Sequence, residues 1–369
     1  MDSELSLVQE LTRLGDKQLI ANATETVRVL EKAAEEGRKH WVLAFSGGKD
    51  SSLVASLIVE MLKRNPGLDV KVDVVYSDTL MELPPFAQNA LCLLQHIDEV
   101  STRFSLPIKS HIAVAPIEQR FWFLVLGKGY PPPHNHFRWC TERLKIRPSR
   151  QVMKGIADEQ SVVLTGVRFG ESGNRDARMK GAMCSKDDSE CGQGVWINGD
   201  SQMGLDGLAP VAHWRTCQVW DYLIMAAIEW GWPFKTLIKL YGDDGVATRF
   251  GCWMCTLVKE DKALKSVASH PEWANLITLN TMRQGLLEDG RKEENRIRKP
   301  NGEAGRSSVG FRRMMLDKLT NLEDSLDLQL ISKEEVQAIQ AYWAVEEELK
   351  TPYTHECKYW RWKPDAQIV

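Results

Sequence analysis

The chain of 369 residues has 47 Lys and Arg against 50 Asp and Glu, so its net charge of −3 gives no global basic field for nucleic acid. Hydrophobic residues make up 43% and charged residues 26%, as in ordinary globular proteins, and no run of eighteen apolar residues predicts a membrane span. The N-terminus lacks the basic and apolar regions of a signal peptide, which indicates a cytoplasmic protein. Its eight cysteines are therefore expected to be thiols or metal ligands rather than disulfides.

Strands that alternate with helices predict the fold. The pattern of apolar residues predicts strands over 41–45, 70–76, 108–114, 161–167 and 208–211. It predicts helices over 3–15, 19–38, 51–64, 84–104, 117–127, 141–153, 171–180, 214–230 and 319–350. Such alternation is typical of βαβ units, so we expect an α/β fold with a doubly wound parallel sheet.

Three regions follow from this reading of the chain. Residues 1–38 form a helical N-terminal extension, and residues 39–240 form the α/β domain that carries the glycine loop. Residues 241–369 form a mainly helical C-terminal region with a cysteine motif.

A glycine loop joins the first strand to the helix that follows it. The sequence there is Ser46-Gly47-Gly48-Lys49-Asp50-Ser51-Ser52. A strand, a glycine turn and a helix aim free N–H groups and the positive helix end at an anion. The glycines allow close approach of phosphate, while the lysine adds a cation and the serines add hydroxyl groups. A Walker A loop has a different spacing and is excluded, and an ordinary glycine turn before a helix is the alternative.

Polar residues follow two further strands. Asp78 and Arg168 come just after the second and fourth predicted strands, so a parallel sheet would place them at the same edge as Ser46. Arg168, Arg175 and Arg178 suit phosphate oxygens, and surface ion pairs are their alternative. Asp78 is expected on a magnesium-bound water or on the adenosine, and the sequence does not choose between them.

Cys140 stands at the predicted start of a helix, near Arg138, Arg143 and Lys145. A helix N-terminus and nearby cations lower the pKa of a thiol. We therefore expect Cys140 to carry sulfur or to bind a metal, with a small buried hydrophobic residue as the alternative.

Two cysteine pairs are candidates for a metal centre. Cys252 and Cys255 form a C-x-x-C, and Cys184 and Cys191 lie in a polar, glycine-containing segment. Four thiolates suit either zinc or a [4Fe–4S] cluster, and their spacing does not decide between the two. The absence of any metal is the third reading, and Cys217 is a further ligand candidate.

The region 283–313 is locally basic. Nine Lys and Arg and five Asp and Glu give it a net charge of +4, and it contains a glycine-rich tip over 301–305. We expect this region to contact DNA, with a solvated charged surface as the alternative.

These motifs resemble the PP-loop ATP pyrophosphatases, specifically the PAPS reductase branch and above all the DNA phosphorothioation proteins DndC and SspD. The matching segments are 46–51, 76–79, 127–131, 138–145, 166–168 with 171–172, and 249–258. The resemblance implies an adenine nucleotide α-hydrolase-like fold. It also implies an enzyme that adenylates a DNA backbone phosphate so that sulfur can be inserted.

The resemblance further implies site residues, cofactors and partners. The catalytic residues would be Lys49, Asp50, Arg168 and Cys140. The nucleotide would be bound by Ser46, Gly47, Gly48, Ser51, Ser52, Asp78 and Arg175, and a [4Fe–4S] cluster or zinc by Cys184, Cys191, Cys252 and Cys255. ATP and Mg²⁺ are the other implied cofactors, and DNA, a cysteine desulfurase and other phosphorothioation proteins are the implied partners.

Other functions remain open at this stage. A reductase of adenylated sulfate needs a catalytic cysteine, for which Cys357 in the C-terminal tail is the candidate. A non-enzymatic regulator that binds nucleotide and nucleic acid is the second alternative, and a tRNA-thiolating enzyme is the third. No Ser-His-Asp set or carboxylate pair stands out, which fits phosphoryl chemistry driven by positioning and charge neutralisation.

Overall fold

The computed structural model describes residues 6–14, 17–134, 137–169, 195–197, 204–242, 250–258 and 260–348. The chain divides into two compact units. Unit 1 comprises Met1–Ala115 and Asn135–Ile277, and unit 2 comprises Pro116–His134 and Thr278–Val369. The boundary predicted at residue 240 therefore falls inside unit 1, and unit 2 takes a segment from the middle of the chain. No helix within the described ranges has the length and apolar character to cross a membrane.

Unit 1 is built on a six-stranded sheet with the order β3-β2-β1-β4-β6-β5. Its strands are β1 (His40–Phe45), β2 (Lys71–Asp78), β3 (Ile108–Val114), β4 (Ser161–Leu164), β5 (Val195–Ile197) and β6 (Asp206–Ala209). Every neighbouring pair among β3, β2, β1, β4 and β6 is parallel, and β5 is antiparallel to β6 at the edge. The predicted parallel sheet is confirmed, whereas the edge strand β5 was not predicted.

The helices of unit 1 flank this sheet. They are α1 (Leu7–Leu14), α2 (Lys17–Glu35), α3 (Lys49–Arg64), α4 (Pro84–Phe104), α5 (Arg147–Ile156), α6 (Thr216–Glu229), α7 (Lys235–Tyr241) and α8 (Lys262–Ala268). Helix α3 contacts α6, α4 and β1, and all its residues from 51 to 62 are buried. A helix buried on all sides is rich in apolar residues around its whole circumference, which explains why only Ser56 and Glu60 interrupt the apolar run from Leu53 to Leu62.

The two N-terminal helices pack onto unit 1. Helix α1 contacts α3, and helix α2 contacts α3 and α6. A buried hydrogen-bond chain fixes α2, because Trp214 Nε1 donates to Thr26 Oγ1 at 3.0 Å and Thr26 donates to the Pro210 carbonyl at 3.2 Å. The predicted helical extension is therefore part of the core of this unit.

Unit 2 packs three helices and a hairpin around an unusual helical segment. Its elements are α9 (Leu279–Glu288), β7 (Arg296–Arg298), β8 (Ala304–Ser307), α10 (Val309–Leu326) and α11 (Lys333–Glu348). The segment Phe123–Gly127 is π-helical, and its carbonyl groups accept side-chain donors from the later helices. Trp343 Nε1 donates to the Leu126 carbonyl at 2.8 Å, and Arg312 donates to the Gly127 carbonyl. These bonds join the mid-chain segment to the C-terminal helices.

Some predicted helices differ from the structure in their details. The helix predicted over 319–350 is two helices, because Asp327 adopts φ 52° and ends α10. The helix predicted over 117–127 is a 3-10 turn at Ile117–Gln119 followed by the π-helical segment. The helix predicted over 171–180 lies outside the described residues.

Candidate active site

A cavity of about 400 Å³ opens at the carboxyl ends of β1, β2 and β4 in unit 1. This volume is within the range of small-molecule sites, about 300–1,000 Å³. Its lining combines the glycine loop with residues from three other parts of the unit. The polar and aromatic lining residues are Ser46, Lys49, Asp50, Ser51, Ser77, Thr79, Glu82, Phe86, Lys145, Thr165, Tyr241, Phe250 and Cys252.

Two glycines hold the loop in place by close backbone packing. Gly47 has φ 73°, and a Cβ on it would lie 2.4 Å from Ala90 Cβ on α4. A Cβ on Gly166, just after β4, would lie 2.7 Å from the carbonyl carbon of Asp50. Real Cβ atoms do not approach this closely, so both positions require glycine and the loop is fixed between β4 and α4.

The predicted serines have different roles. The Ser46 N–H donates to Ser51 Oγ at 3.2 Å, and the Ser51 hydroxyl donates to the Gly48 carbonyl at 3.1 Å. These bonds hold the loop against the first turn of α3, whose positive end faces the cavity. Ser52 is buried, and its hydroxyl has no hydrogen-bond partner in the described part of the chain. Neither Ser52 nor Gly47 is among the cavity-lining residues.

Lys49, Asp50 and Arg168 form a chain of alternating charge. Asp50 Oδ2 accepts from Lys49 Nζ at 3.0 Å, and Asp50 Oδ1 accepts from Arg168 Nε at 2.6 Å. Arg168 is 3% exposed and also donates to the Trp214 carbonyl at 2.9 Å and to Thr216 Oγ1 at 3.3 Å. In this geometry Arg168 positions Asp50, and Lys49 and Asp50 line the cavity.

Of the remaining predicted nucleotide-binding residues, the structure describes Asp78 and does not place it at the cavity. Asp78 ends β2, and its Oδ1 accepts the Leu80 N–H at 2.8 Å, which stabilises the turn after the strand. Asp78 is not among the lining residues. Arg175 and Arg178 lie outside the described residues.

The C-x-x-C segment docks on the turn that follows β2. Glu82 and Cys252 form a backbone bridge, and the Trp253 N–H donates to the Met81 carbonyl at 3.0 Å. Cys252 Sγ lies 3.9 Å from Thr79 Oγ1 and lines the same cavity as the glycine loop. A thiol and an anion-binding loop that are about 200 residues apart in the sequence therefore share one cavity.

The pKa of Cys140 was predicted to be lowered, and in the structure it is raised. Burial raises the pKa of Cys140, and the nearby Cys255 raises it further, although Thr141 opposes the shift through hydrogen bonds. Burial and the carboxylate of Glu82 raise the pKa of Cys252 to about 12, and Cys140 and Cys255 contribute to this shift. The expected lowering at Cys140 is wrong because desolvation of the thiolate outweighs the helix N-terminus.

The described residues do not complete a metal centre. Within them, no three His, Cys, Asp or Glu side chains are arranged to hold a metal ion. Cys140, Cys252 and Cys255 are close enough for their charges to interact, which adds Cys140 to the pair found from the sequence. The other predicted ligands, Cys184 and Cys191, lie outside the described residues, as does Cys357.

Several cavity residues were missed in the sequence. Lys49 Nζ lies 5.2 Å from the ring centroid of Tyr241, and the rings of Phe86 and Phe250 stack at 4.9 Å. Glu82 also lines the cavity, and burial raises the pKa of its carboxyl group although a hydrogen bond from Thr79 opposes the shift. Only Phe250 could have been found from the sequence, because it directly precedes Gly251 and Cys252 and so lies beside the cysteine motif.

Comparisons with known proteins bear on this site. The family model of the phosphoadenosine phosphosulfate reductase domain matches residues 40–258. An uncharacterized protein of Methanocaldococcus jannaschii is 24% identical over 252 residues, which are 67% of this chain and 43% of that protein. The chain thus spans less than half the length of this curated relative. The crystal structure of phosphoadenylyl-sulfate (PAPS) reductase from Candida auris, a phosphate complex, aligns with a TM-score of 0.38 at 16% identity. That alignment covers 59% of this chain and 83% of the other.

Proposed function

The chain belongs to the phosphoadenosine phosphosulfate reductase domain family, and from this premise we propose that it is an ATP pyrophosphatase and sulfurtransferase that adenylates a DNA backbone phosphate for sulfur insertion. The observation that carries the proposal is the shared cavity. Ser46, Gly48 and Lys49 offer an anion-binding loop on one side, and Cys252 offers a thiol on the other. Nucleotide chemistry and sulfur chemistry then take place in one site.

The proposed first step is adenylyl transfer. A non-bridging oxygen of the DNA phosphodiester attacks the innermost phosphorus of ATP, and the bond to the leaving pyrophosphate breaks. The N-terminus of α3 and Lys49 stabilise charge on the phosphate oxygens, and Asp50 holds Lys49 at 3.0 Å in the orientation this requires. Positioning and electrostatic stabilisation account for most catalysis of phosphoryl transfer, so an enzyme nucleophile is not needed here.

In the proposed second step, hydrosulfide attacks the adenylated backbone phosphorus, and AMP leaves with the original oxygen. The product is a phosphorothioate, and no change of oxidation state is required. Lys145 lines the same cavity and is placed to stabilise the negative charge on the departing AMP.

Cys140, Cys252 and Cys255 are the described thiols that could hold a [4Fe–4S] cluster or zinc. Cys140 and Cys255 raise the pKa of Cys252, and Cys255 raises the pKa of Cys140. These effects fit a centre that neutralises thiolates, since a bound cation reverses such shifts. A complete set needs a further ligand, for which Cys184 and Cys191 remain the predicted candidates. A cluster there would supply sulfur binding or electron transfer, and no step above depends on it.

A second candidate is reduction of adenylated sulfate. The family match and the thiol in the cavity favour it, because such a reaction needs a nucleotide phosphate site beside a sulfur nucleophile. This reaction would release sulfite from phosphoadenylyl sulfate in the presence of a thiol reductant and would not require DNA.

The experiment separates the two functions by their products. The full chain, purified without oxygen, is supplied with ATP, hydrosulfide and duplex or single-stranded DNA, and pyrophosphate and phosphorothioate are measured. We expect Lys49→Ala and Asp50→Ala to abolish pyrophosphate release, and Lys109→Ala, an exposed lysine of unit 1, to retain it. Sulfite release from phosphoadenylyl sulfate without DNA-dependent pyrophosphate release would replace the proposal by the reductase.

A further inference from the structure

Unit 2 contains a second cavity, of about 630 Å³, lined by basic and aromatic residues. Its charged and aromatic lining consists of Lys128, Tyr130, Arg296, Lys299, Arg306 and Tyr342. Among the described residues that line it, none is acidic. The sequence placed three of these cations in the basic region 283–313, and the fold adds Lys128 from the segment 116–134.

Three other cations of the basic region are paired with neighbouring acids. Exposed ion pairs join Lys292 to Asp289 at 2.8 Å and Arg313 to Glu347 at 2.8 Å. Arg298 is paired with Glu293 in the same way, at 2.8 Å. The net charge of +4 counted along the sequence is therefore not evenly distributed over the region. The cations that line the cavity are the ones expected to attract an anion.

The cavity cations keep a surplus of positive charge. Arg296 donates to the carbonyl groups of Gly305 at 2.6 Å and Gly290 at 3.2 Å, and carbonyls do not neutralise a guanidinium. Glu346 is shared by two guanidinium groups, since Arg306 and Arg312 each donate to its Oε1 at 2.8 Å. One acid between two arginines leaves about one positive charge uncompensated.

Three further observations concern cations that line the cavity. Arg306 Nε is buried and has no hydrogen-bond partner in the part of the chain that the structure describes. Lys299 is paired with Glu303 at 3.2 Å, and both side chains are more than half exposed. This pair is weak, as are the other exposed pairs of the region, and a phosphate group can compete for the lysine. Lys128 also lines the cavity, and its Nζ lies 5.4 Å from the Phe123 ring centroid.

We propose that this cavity binds the phosphate groups of a nucleic-acid strand. Lys128, Lys299 and Arg306 would contact phosphate oxygens, and Tyr130 and Tyr342 would stack against bases or sugars, the combination typical of single-strand binding grooves. The choice of a nucleic acid rests on the proposed function, in which DNA is the substrate. The shared chemistry is a phosphate group, which a free nucleotide or inorganic phosphate also carries.

The test compares a cavity variant with a matched variant elsewhere in unit 2. The cavity variant is Lys128→Gln/Lys299→Gln. The control is Lys333→Gln/Lys318→Gln, which removes the same charge: Lys333 is exposed, and Lys318 is paired with Asp289 at 3.4 Å, much as Lys299 is with Glu303. Binding of a fluorescently labelled single-stranded oligonucleotide to the full chain is measured by anisotropy from about 50 to 200 mM salt.

We expect the cavity variant to bind the oligonucleotide roughly tenfold more weakly, and the slope of log affinity against log salt to fall by about 1–2. The control should behave like wild type. Equal binding by both variants would overturn the proposal, as would displacement of the oligonucleotide by AMP or inorganic phosphate at equal phosphate concentration. Lys109→Ala, in unit 1 and outside both cavities, should bind the oligonucleotide normally. Pyrophosphate release by wild type is measured separately. Its absence would disprove the proposed function, and the comparison of the two unit 2 variants would still decide whether this cavity binds the oligonucleotide.

Discussion

Replacement of Gly166 by alanine is the sharpest test of how the loop is held. The new Cβ would lie 2.7 Å from the Asp50 carbonyl carbon, 2.8 Å from its oxygen and 2.8 Å from the Ser51 nitrogen. All three are backbone atoms of the first turn of α3, so no side chain can rotate away to relieve the contact. The substitution therefore pushes on the anion-binding loop without removing any functional group.

The size of the effect follows from the distances. A relaxed carbon contact is about 3.5 Å, so the loop or β4 must move by about 0.8 Å. Overpacking of this kind costs about 1–3 kcal/mol of unfolding free energy. A displacement near 1 Å at a reacting group can lower the rate about 100-fold, so we expect kcat/KM for ATP to fall by about 10- to 100-fold.

The assay pairs Gly166→Ala with Gly155→Ala. Gly155 lies in α5 with no atom within 4 Å of its added Cβ, and alanine there should stabilise the helix by about 0.5–1 kcal/mol. Denaturant unfolding and pyrophosphate release are measured on both variants. Wild-type kcat/KM together with undiminished stability in Gly166→Ala would refute the argument that this approach fixes the loop.

Three further predictions concern buried polar groups. Burial raises the pKa of Glu335 to about 7, so the folded state favours the protonated carboxyl. As the pH rises from about 4.5 to 7, the unfolding free energy of wild type should fall by about 3 kcal/mol relative to that of Glu335→Gln. Urea titrations at several pH values measure this difference. Glu346→Gln leaves the fully buried guanidinium of Arg312 without its charge partner and should lower the unfolding free energy by about 3–5 kcal/mol in the same assay. The control, Glu347→Gln, breaks the exposed pair with Arg313 and should lower it by under about 1 kcal/mol. Thr26→Val leaves the indole N–H of Trp214 unpaired and should cost about 1–3 kcal/mol, checked by thermal unfolding.

The parallel sheet could be predicted because its signal is local. Each buried strand is a short apolar run, and each intervening helix has its own periodicity, so β1 to β4 and β6 were found within a few residues of their bounds. The edge strand Val195–Ile197 has three residues and pairs antiparallel with β6, and so short a run carries no periodicity. The break at Asp327 was missed because no glycine marks its left-handed conformation. The turn after it is fixed by the Glu323 carboxylate, which accepts the N–H groups of Leu330 and Ile331.

In the candidate site, too, features that are local in the sequence could be predicted, and contacts between distant residues could not. The glycine loop was found because strand, turn and helix signals are consecutive in the sequence. Arg168 was predicted to act on phosphate oxygens, with a surface ion pair as the alternative, and the sequence could not show that its guanidinium would be buried against Asp50. Its partners, Asp50, the Trp214 carbonyl and Thr216, lie at least 46 residues away, and only the fold brings them together.

The cysteine motif lies in the cavity because it docks on the turn that follows β2. The bridge between Glu82 and Cys252 is the contact that places a thiol beside the loop opened by Ser46. Burial raises the pKa values of the Glu82 carboxyl and the Cys252 thiol, so this cavity favours their neutral forms. A polyphosphate brings more negative charge into the same space, and its binding must raise the cost of a free thiolate there. Sulfur chemistry in this cavity therefore requires a counter-charge close to Cys252, which a bound cation or Lys145 would supply.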